Sequence, residues 1–187
     1  MKIMLDADHV YRDEAGVQIP NVTSILKDAG LIDTSFFDAY SRDRGTLVHR
    51  ACALYDRDDL DMSSLDPAIE PYLYGWIKFR KDSGFIPEAV EEIVYNPEYR
   101  YVGTLDVRGL LGGYKAIIDR KTGSAQPWAE LQTAAYENCL AEKHRRFVIE
   151  LDSEGKYKLI EHKDRSDIKL FLAALAITNW KKNHNIK

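Results

Sequence analysis

The sequence predicts a mixed α/β fold of the α+β kind, with a central mixed β-sheet flanked by helices and a helical elaboration on its N-terminal side. Three observations carry this. Tyr101–Leu110 and Tyr114–Thr122 read as strands, joined by Leu111-Gly112-Gly113, a hairpin turn suited to backbone with φ > 0. Ala89–Tyr95 supplies a strand just before them. From Tyr114 to Leu151 the pattern is strand, helix, strand, which implies a right-handed crossover and so a parallel pair in an otherwise antiparallel sheet.

The elements follow in order. His9–Arg12 and Val17–Ile19 flank Asp13-Glu14-Ala15-Gly16 as a small hairpin. Val22–Ala29 is a short helix stopped by Gly30, and a longer helix runs from Phe36 to Tyr55 with a break expected near Gly45. Asp66-Pro67 provides an N-cap and a first-turn proline for a helix that Gly84 ends. Pro127–Ala141 is a helix. Arg146–Leu151 and Lys156–Glu161 are strands around Asp152-Ser153-Glu154-Gly155, and an amphipathic helix spans Arg165–Asn183. The expected organisation is a single domain over residues 1–187. A hairpin and helical part occupies 1–85, a sheet core 86–162 and a C-terminal helix 163–187.

Composition narrows the functional classes. At 187 residues, 45% hydrophobic and 30% charged, the chain has an ordinary globular balance, and its length fits one domain. It has no apolar run of the roughly 18 to 20 residues that a membrane helix needs. Its first residues lack the apolar stretch of a secretory signal, so a cytoplasmic location is expected. The two cysteines, Cys52 and Cys139, sit in apolar helical contexts and read as buried free thiols. They cannot supply a four-cysteine metal or iron–sulfur site. The net charge of −4 argues against a polyanionic partner, but its distribution qualifies that. Residues 141–187 hold eleven Lys/Arg against seven Asp/Glu, and the remainder holds fifteen against twenty-three. Carboxylates gathered for a metal would make the first part acidic in this way. Lys143, Lys181 and Lys182 in the basic tail are candidate phosphate contacts, and Lys78 to Lys81 either touch a nucleic acid or face water.

The candidate chemistry lies between Gly103 and Tyr136. Residues two apart in a strand share a face, so Asp119 and Lys121 project together, and Asp106 on the preceding hairpin strand can approach them. Carboxylates facing each other repel unless a cation lies between them. Mg²⁺ favours one or two carboxylates, waters and substrate phosphate oxygens, and an adjacent lysine suits water activation or charge neutralisation. Asp-x-Lys alone is weak. Asp167-Ile168-Lys169 is a second copy, read as a solvated pair, and an exposed strand-end pair is the plain alternative for Asp119 and Lys121. Gln132 and Tyr136, four apart on a helix with Trp128 one turn earlier, share a face. They are either packing residues or contacts to a polyanion beside the site. His49 sits among Leu47, Val48 and Ala51 as a neutral imidazole ligand candidate, and Glu91 on the first strand of the sheet can reach the same pocket, whereas Glu92 points away.

Taken together, Gly103-Thr104-Leu105-Asp106, Ile118-Asp119-Arg120-Lys121-Thr122-Gly123 and Gln132-Thr133-Ala134-Ala135-Tyr136 resemble the PD-(D/E)XK nuclease superfamily. The RecB-type and phage exonuclease branch, which includes the mitochondrial genome maintenance exonuclease, fits best through Gln132 and Tyr136. Arg44-Gly45-Thr46-Leu47-Val48-His49 matches the helical histidine motif of that branch, and Glu91 matches its glutamate. The motifs span Arg44 to Tyr136, about half of the chain.

The resemblance implies a restriction-endonuclease-like core. It also implies a catalytic set of Lys121, Asp119, Asp106 and Glu91, and a metal set of His49, Asp106, Asp119 and the backbone carbonyl of Arg120. Gln132 and Tyr136 would contact DNA or brace the site. The implied cofactor is Mg²⁺ or Mn²⁺, without an iron–sulfur cluster. No ATP is expected, because the chain has no Gly-x-x-x-x-Gly-Lys-Ser/Thr loop. The implied activity is a DNA exonuclease of phage or prophage recombination or repair in a bacterial or infected-host cytoplasm. DNA is its partner, any processivity comes from a single-strand annealing protein or homo-oligomerisation, and no membrane is involved. A catalytically silent DNA-binding adaptor of the same fold and a restriction-type endonuclease are the alternatives.

Overall fold

The computed structural model describes residues 3–6, 10–33 and 39–186. β1 (Met4–Leu5), β2 (Tyr11–Arg12) and β3 (Gln18–Ile19) form a small antiparallel sheet. The expected hairpin is β2–β3. β1 adds a strand too short to leave a sequence pattern, and His9 lies outside the described residues. Asn21 then caps α1 (Val22–Asp28). Its side chain accepts from Ser24 N at 2.8 Å, and Ser24 Oγ accepts from Asn21 N at 3.2 Å.

α2 (Ala39–Asp56) runs through Gly45 without the expected break. A Cβ on Gly45 would make only an ordinary contact with Thr122 Oγ1, at 3.6 Å. The expected start, Phe36 to Asp38, lies outside the described residues. α3 (Glu70–Ser83) begins later than the Asp66-Pro67 signal predicts. Asp66 caps a turn instead, accepting from Ala68 N at 2.8 Å, and Pro71 takes the first helical turn. Gly84 ends the helix at φ 65, as a left-handed C-cap.

The central sheet is a meander of β4 (Ile86–Asn96), β5 (Tyr101–Leu111) and β6 (Tyr114–Thr122), extended after α4 (Trp128–Glu137) by β7 (Arg145–Leu151) and β8 (Tyr157–His162). The spatial order is β4-β5-β6-β7-β8, with β6 and β7 parallel and the other pairs antiparallel. α4 is shorter than expected at its C-terminal end, where the amides of Cys139 and Leu140 turn back to the carbonyls of Tyr136 and Glu137. α5 (Asp167–Asn183) closes the chain. No described helix is long and apolar enough to cross a membrane.

Helices cover both faces of the sheet. Val48 and Cys52 of α2 and Trp76 and Phe79 of α3 pack on Val107, Ile118, Phe147 and Ile149. Ile25 and Leu26 of α1, Ala135 of α4 and Phe171 and Leu175 of α5 pack on Tyr101, Leu105 and Ile117. Each such large apolar side chain, fully buried, contributes about 1.5–3 kcal/mol. α5 is not amphipathic, because Leu170, Ile177 and Trp180 are exposed opposite its buried Phe171 and Leu175. Asp167 is not a solvated partner of Lys169 either. It is buried, and it accepts from Arg146 Nη2 at 2.9 Å because that guanidinium is itself buried and needs a counter-ion.

Two features open the sheet where the site forms. Strict alternation would place Leu105 and Val107 on one face, yet they pack into opposite layers. Val94 and Val90 on β4 are divided in the same way. The switch falls at Glu91 and Asp106, and Glu91 carries a left-handed φ of 51, which is uncommon for a residue with a Cβ. Beyond the Val107–Ile118 pair, β5 and β6 separate, so residues 119–122 keep ladder partners only on β7.

Candidate active site

At this opening the ligand atoms of His49, Glu91 and Asp106 lie within 4.8 Å of one another. α2 brings His49, and its Nδ1 is 3.2 Å from Asp106 Oδ1. The other Asp106 oxygen accepts the backbone N–H of Arg120 at 2.6 Å. Glu91 reaches the cluster through its left-handed backbone. Its Oε1 is buried with no hydrogen-bond partner among the described residues. A buried, unsatisfied carboxylate oxygen facing an imidazole and a second carboxylate suits a hard divalent cation.

The charge states follow from this crowding. Burial, then the Asp106 carboxylate, push the Glu91 carboxyl up to about 7, against opposing pulls from His49, Arg120 and Arg57. Burial would also raise Asp106. The His49 charge and hydrogen bond, with Arg120 and Lys121, outweigh it and hold that carboxyl well below its ordinary value. Burial would lower His49, but Asp106 raises it above the usual imidazole value. The Asp106 carboxylate beside His49 thus favours the protonated form of the imidazole.

Asp119 and Lys121 sit beside this cluster on β6. Asp119 is not one of the three groups in mutual reach. Its Oδ2 is buried, with Lys121 Nζ at 2.8 Å and no other donor reaching it among the described residues. Burial raises its carboxyl, Lys121 offsets part of this, and Asp106 adds to it. Lys121 Nζ also donates to Gln132 Oε1 at 2.9 Å, and Gln132 Nε2 donates to Tyr136 Oη at 3.0 Å. Tyr136 is buried and its hydroxyl is pushed well above its usual value, by burial first and then by Asp119 and Asp106. The chain Asp119–Lys121–Gln132–Tyr136 holds the ammonium in place, and Trp128 covers it with its ring centroid 4.8 Å from Nζ. Gly103 makes room for this arrangement, since a Cβ there would lie 2.5 Å from Tyr136 Cε1.

The structure adds residues that the sequence reading did not single out. The Arg120 side chain points away from Asp119, is fully buried, and pairs with Asp56 of α2 while its guanidinium lies 4.3 Å over the Trp76 ring. Asp56 also accepts from Trp76 Nε1 and Arg80 Nη1, both at 2.9 Å. It is the Arg120 amide that meets Asp106 in this structure; the resemblance assigns the Arg120 carbonyl to the metal.

A cleft of about 1000 Å³ opens onto the site, lined by His49, Glu91, Lys121 and Trp128 and by the cations Lys27, Arg42, Arg50 and Arg57. Four of the basic residues read from the sequence have partners within the chain. Lys181 reaches the Asp28 carbonyl, Lys182 pairs with Asp28, Lys78 with Asp82 and Arg80 with Asp56.

No protein-family model matches the chain, and no curated protein matches it. Solved structures do. A protein provisionally described as an exonuclease, from Eubacterium rectale, shares 12% identity over 88% of this chain and 74% of its own, with a TM-score of 0.54. An alkaline exonuclease from Laribacter hongkongensis shares 16% identity over 88% of this chain and 92% of its own, at a TM-score of 0.43. Its complex with dAMP gives 14% identity, coverage of 89% and 93%, and a TM-score of 0.38. The first of these likenesses is one of fold. The five-stranded mixed sheet flanked by helices is a restriction-endonuclease-like α/β architecture.

Proposed function

We propose that this protein is a metal-dependent phosphodiester hydrolase acting on DNA from an end. The observation that carries this reading is the gathering of His49, Glu91 and Asp106 within 4.8 Å, beside the Asp119–Lys121 pair, at the wall of a cation-lined cleft. The fold shared with the Eubacterium rectale protein described as an exonuclease supports it.

His49, Glu91 and Asp106 would hold the ion, with Asp119 at its edge. A bound Mg²⁺ or Mn²⁺ supplies Lewis acidity toward a phosphoryl oxygen and an incoming water. The remaining work belongs to side chains. Lys121, fixed by Asp119 and Gln132, orients the water and neutralises charge that builds up on the phosphoryl group. Tyr136 keeps Gln132 aimed at Lys121, and Trp128 shields the ammonium from bulk water. Arg42, Arg50 and Arg57 neutralise backbone phosphates.

End-labelled linear DNA and a closed circle, each incubated with Mg²⁺ and with EDTA, test the reading. The expected result is Mg²⁺-dependent loss of the linear DNA with the circle intact. Linear DNA that survives every divalent ion would leave a binding adaptor, and a nicked or opened circle would indicate an endonuclease.

A further inference from the structure

The cleft is unequal across its width. Arg42 and Arg50 lie on α2 and Arg57 directly follows its last residue, Asp56; eight and seven residues apart, they keep to one side of the helix and line that wall. At ~1.5 Å per residue the row is about 22 Å long, with His49 near its middle. All three are exposed. Arg42 and Arg50 make no ion pair with a described residue, and Arg57 donates only to the Val90 carbonyl, at 2.8 Å. Across the cleft stand Trp128 and Ile32, which pack into the layer of α1, α4 and α5, with Lys27 of α1 as a cation on that wall against the three arginines. One face of the Trp128 indole is taken by Lys121.

A row of guanidinium groups longer than a mononucleotide is shaped for a linear polyanion. The aromatic and aliphatic groups opposite, with Lys27 beside them, suit a partner that turns apolar faces and little charge to its other edge. A single nucleic-acid strand has this cross-section, phosphates along one side and unstacked bases along the other. A duplex carries phosphates on both flanks and hides its base faces in the stack. It would set a second backbone against Trp128 and Ile32.

We propose that the cleft takes its DNA as a single strand, with phosphates along Arg42, Arg50 and Arg57 and a base against Trp128. This rests on the nuclease reading and names the form of substrate that the site admits.

Fluorescence anisotropy in Ca²⁺, with a short labelled thymidine strand and a blunt hairpin duplex, tests it without turnover. The strand is expected to bind at least about 10-fold tighter than the duplex. The Arg42→Ala/Arg50→Ala variant should lose about 10-fold or more in strand affinity, and its log–log salt slope should shrink by about 1.4, the share of two phosphates on a single strand. Trp128→Ala should weaken strand binding by about 10-fold, the order expected for one lost base stack. Circular dichroism confirms that the variants are folded; the two arginines are exposed. Duplex binding equal to or tighter than strand binding, no binding of either probe, or an unchanged salt slope in the arginine variant would overturn the proposal. Strand-selective binding without hydrolysis in Mg²⁺ would remove the nuclease reading alone, whereas hydrolysis with a duplex preference would remove this inference alone.

Discussion

The backbone amide of Arg120 donates to Asp106 Oδ2 at 2.6 Å, and the guanidinium of the same residue is buried against Asp56 under α2. α2 carries both Asp56 and His49, seven residues or about two turns apart, and His49 holds the other Asp106 oxygen. A closed circuit therefore joins α2, β5 and β6: His49 to Asp106, Asp106 to the Arg120 amide, Arg120 to Asp56, and Asp56 back along the helix to His49. It fixes the separation of the Asp106 carboxylate from the strand that carries Asp119 and Lys121.

Asp56→Ala leaves the Arg120 guanidinium buried without a carboxylate and should cost about 3–5 kcal/mol. Replacing both partners, Asp56→Leu with Arg120→Met, should cost less, because the fully buried guanidinium is no longer left unpaired, although Trp76 Nε1 and Arg80 still lose their acceptor. Urea unfolding of the two proteins checks this. A double variant as unstable as the single one would show that the pair is not the source of the cost.

Lys121→Ala should reduce turnover on DNA at saturating Mg²⁺ by about 10²–10³-fold, the scale of losing one charge-stabilising donor. Gln132→Ala should lower it less, since Asp119 still holds the ammonium at 2.8 Å. Single-turnover rates on end-labelled DNA measure both. Wild-type turnover in the Lys121 variant would remove it from the chemistry.

Gly103→Ala drives a methyl group into Tyr136 Cε1 and should cost about 1–3 kcal/mol through overpacking. Because the displaced ring lets go of Gln132, turnover should fall as well. Tyr136→Phe keeps the ring and removes only the acceptor for Gln132 Nε2, so it should cost about 1–3 kcal/mol for the unpaired buried amide. Thermal melts and rates on both variants separate packing from the hydrogen bond.

Acid titration gives a signed prediction. Glu91 is raised from 4.5 to about 7 in the fold. Its contribution to metal-free stability is therefore fully present below pH 4.5 and is lost as the pH rises through about 7. His49 is raised too, so its contribution is likewise lost on the alkaline side. Asp106 is lowered, and its contribution is already complete above its ordinary value of 3.8, so it does not change across this window. Mg²⁺ should accordingly raise the melting temperature more at pH 8 than at pH 5.5, and binding should release protons. The difference between wild type and Glu91→Gln isolates the carboxylate. An equal Mg²⁺ effect at both pH values would contradict the assignment.

Much of the fold could be read from local signals. The Gly112-Gly113 turn, at φ 57 and 82, and the apolar run before Asp119 placed the hairpin and its strands, and strand periodicity put Asp119 and Lys121 on one face. The switch of faces at Glu91 and Asp106 was not legible, because it depends on a left-handed backbone set by the whole sheet. Nor was the Asp56–Arg120 pair, whose members are 64 residues apart and carry no local pattern. The burial of Asp167 was hidden for the same reason, since this helix residue has its partner Arg146 on β7, 21 residues earlier. Arg42, Arg50 and Arg57 did leave a trace, because spacings of eight and seven keep residues on one side of a helix, and Arg57 comes directly after its end.

Titration with Mn²⁺, followed by the loss of its free electron paramagnetic resonance signal, tests the central arrangement most directly. The wild-type protein is expected to take up Mn²⁺ at this site, and Asp106→Asn and Glu91→Gln, each confirmed as folded, should each weaken that uptake by at least about 10-fold. Mn²⁺ binding unchanged in both variants would contradict the account.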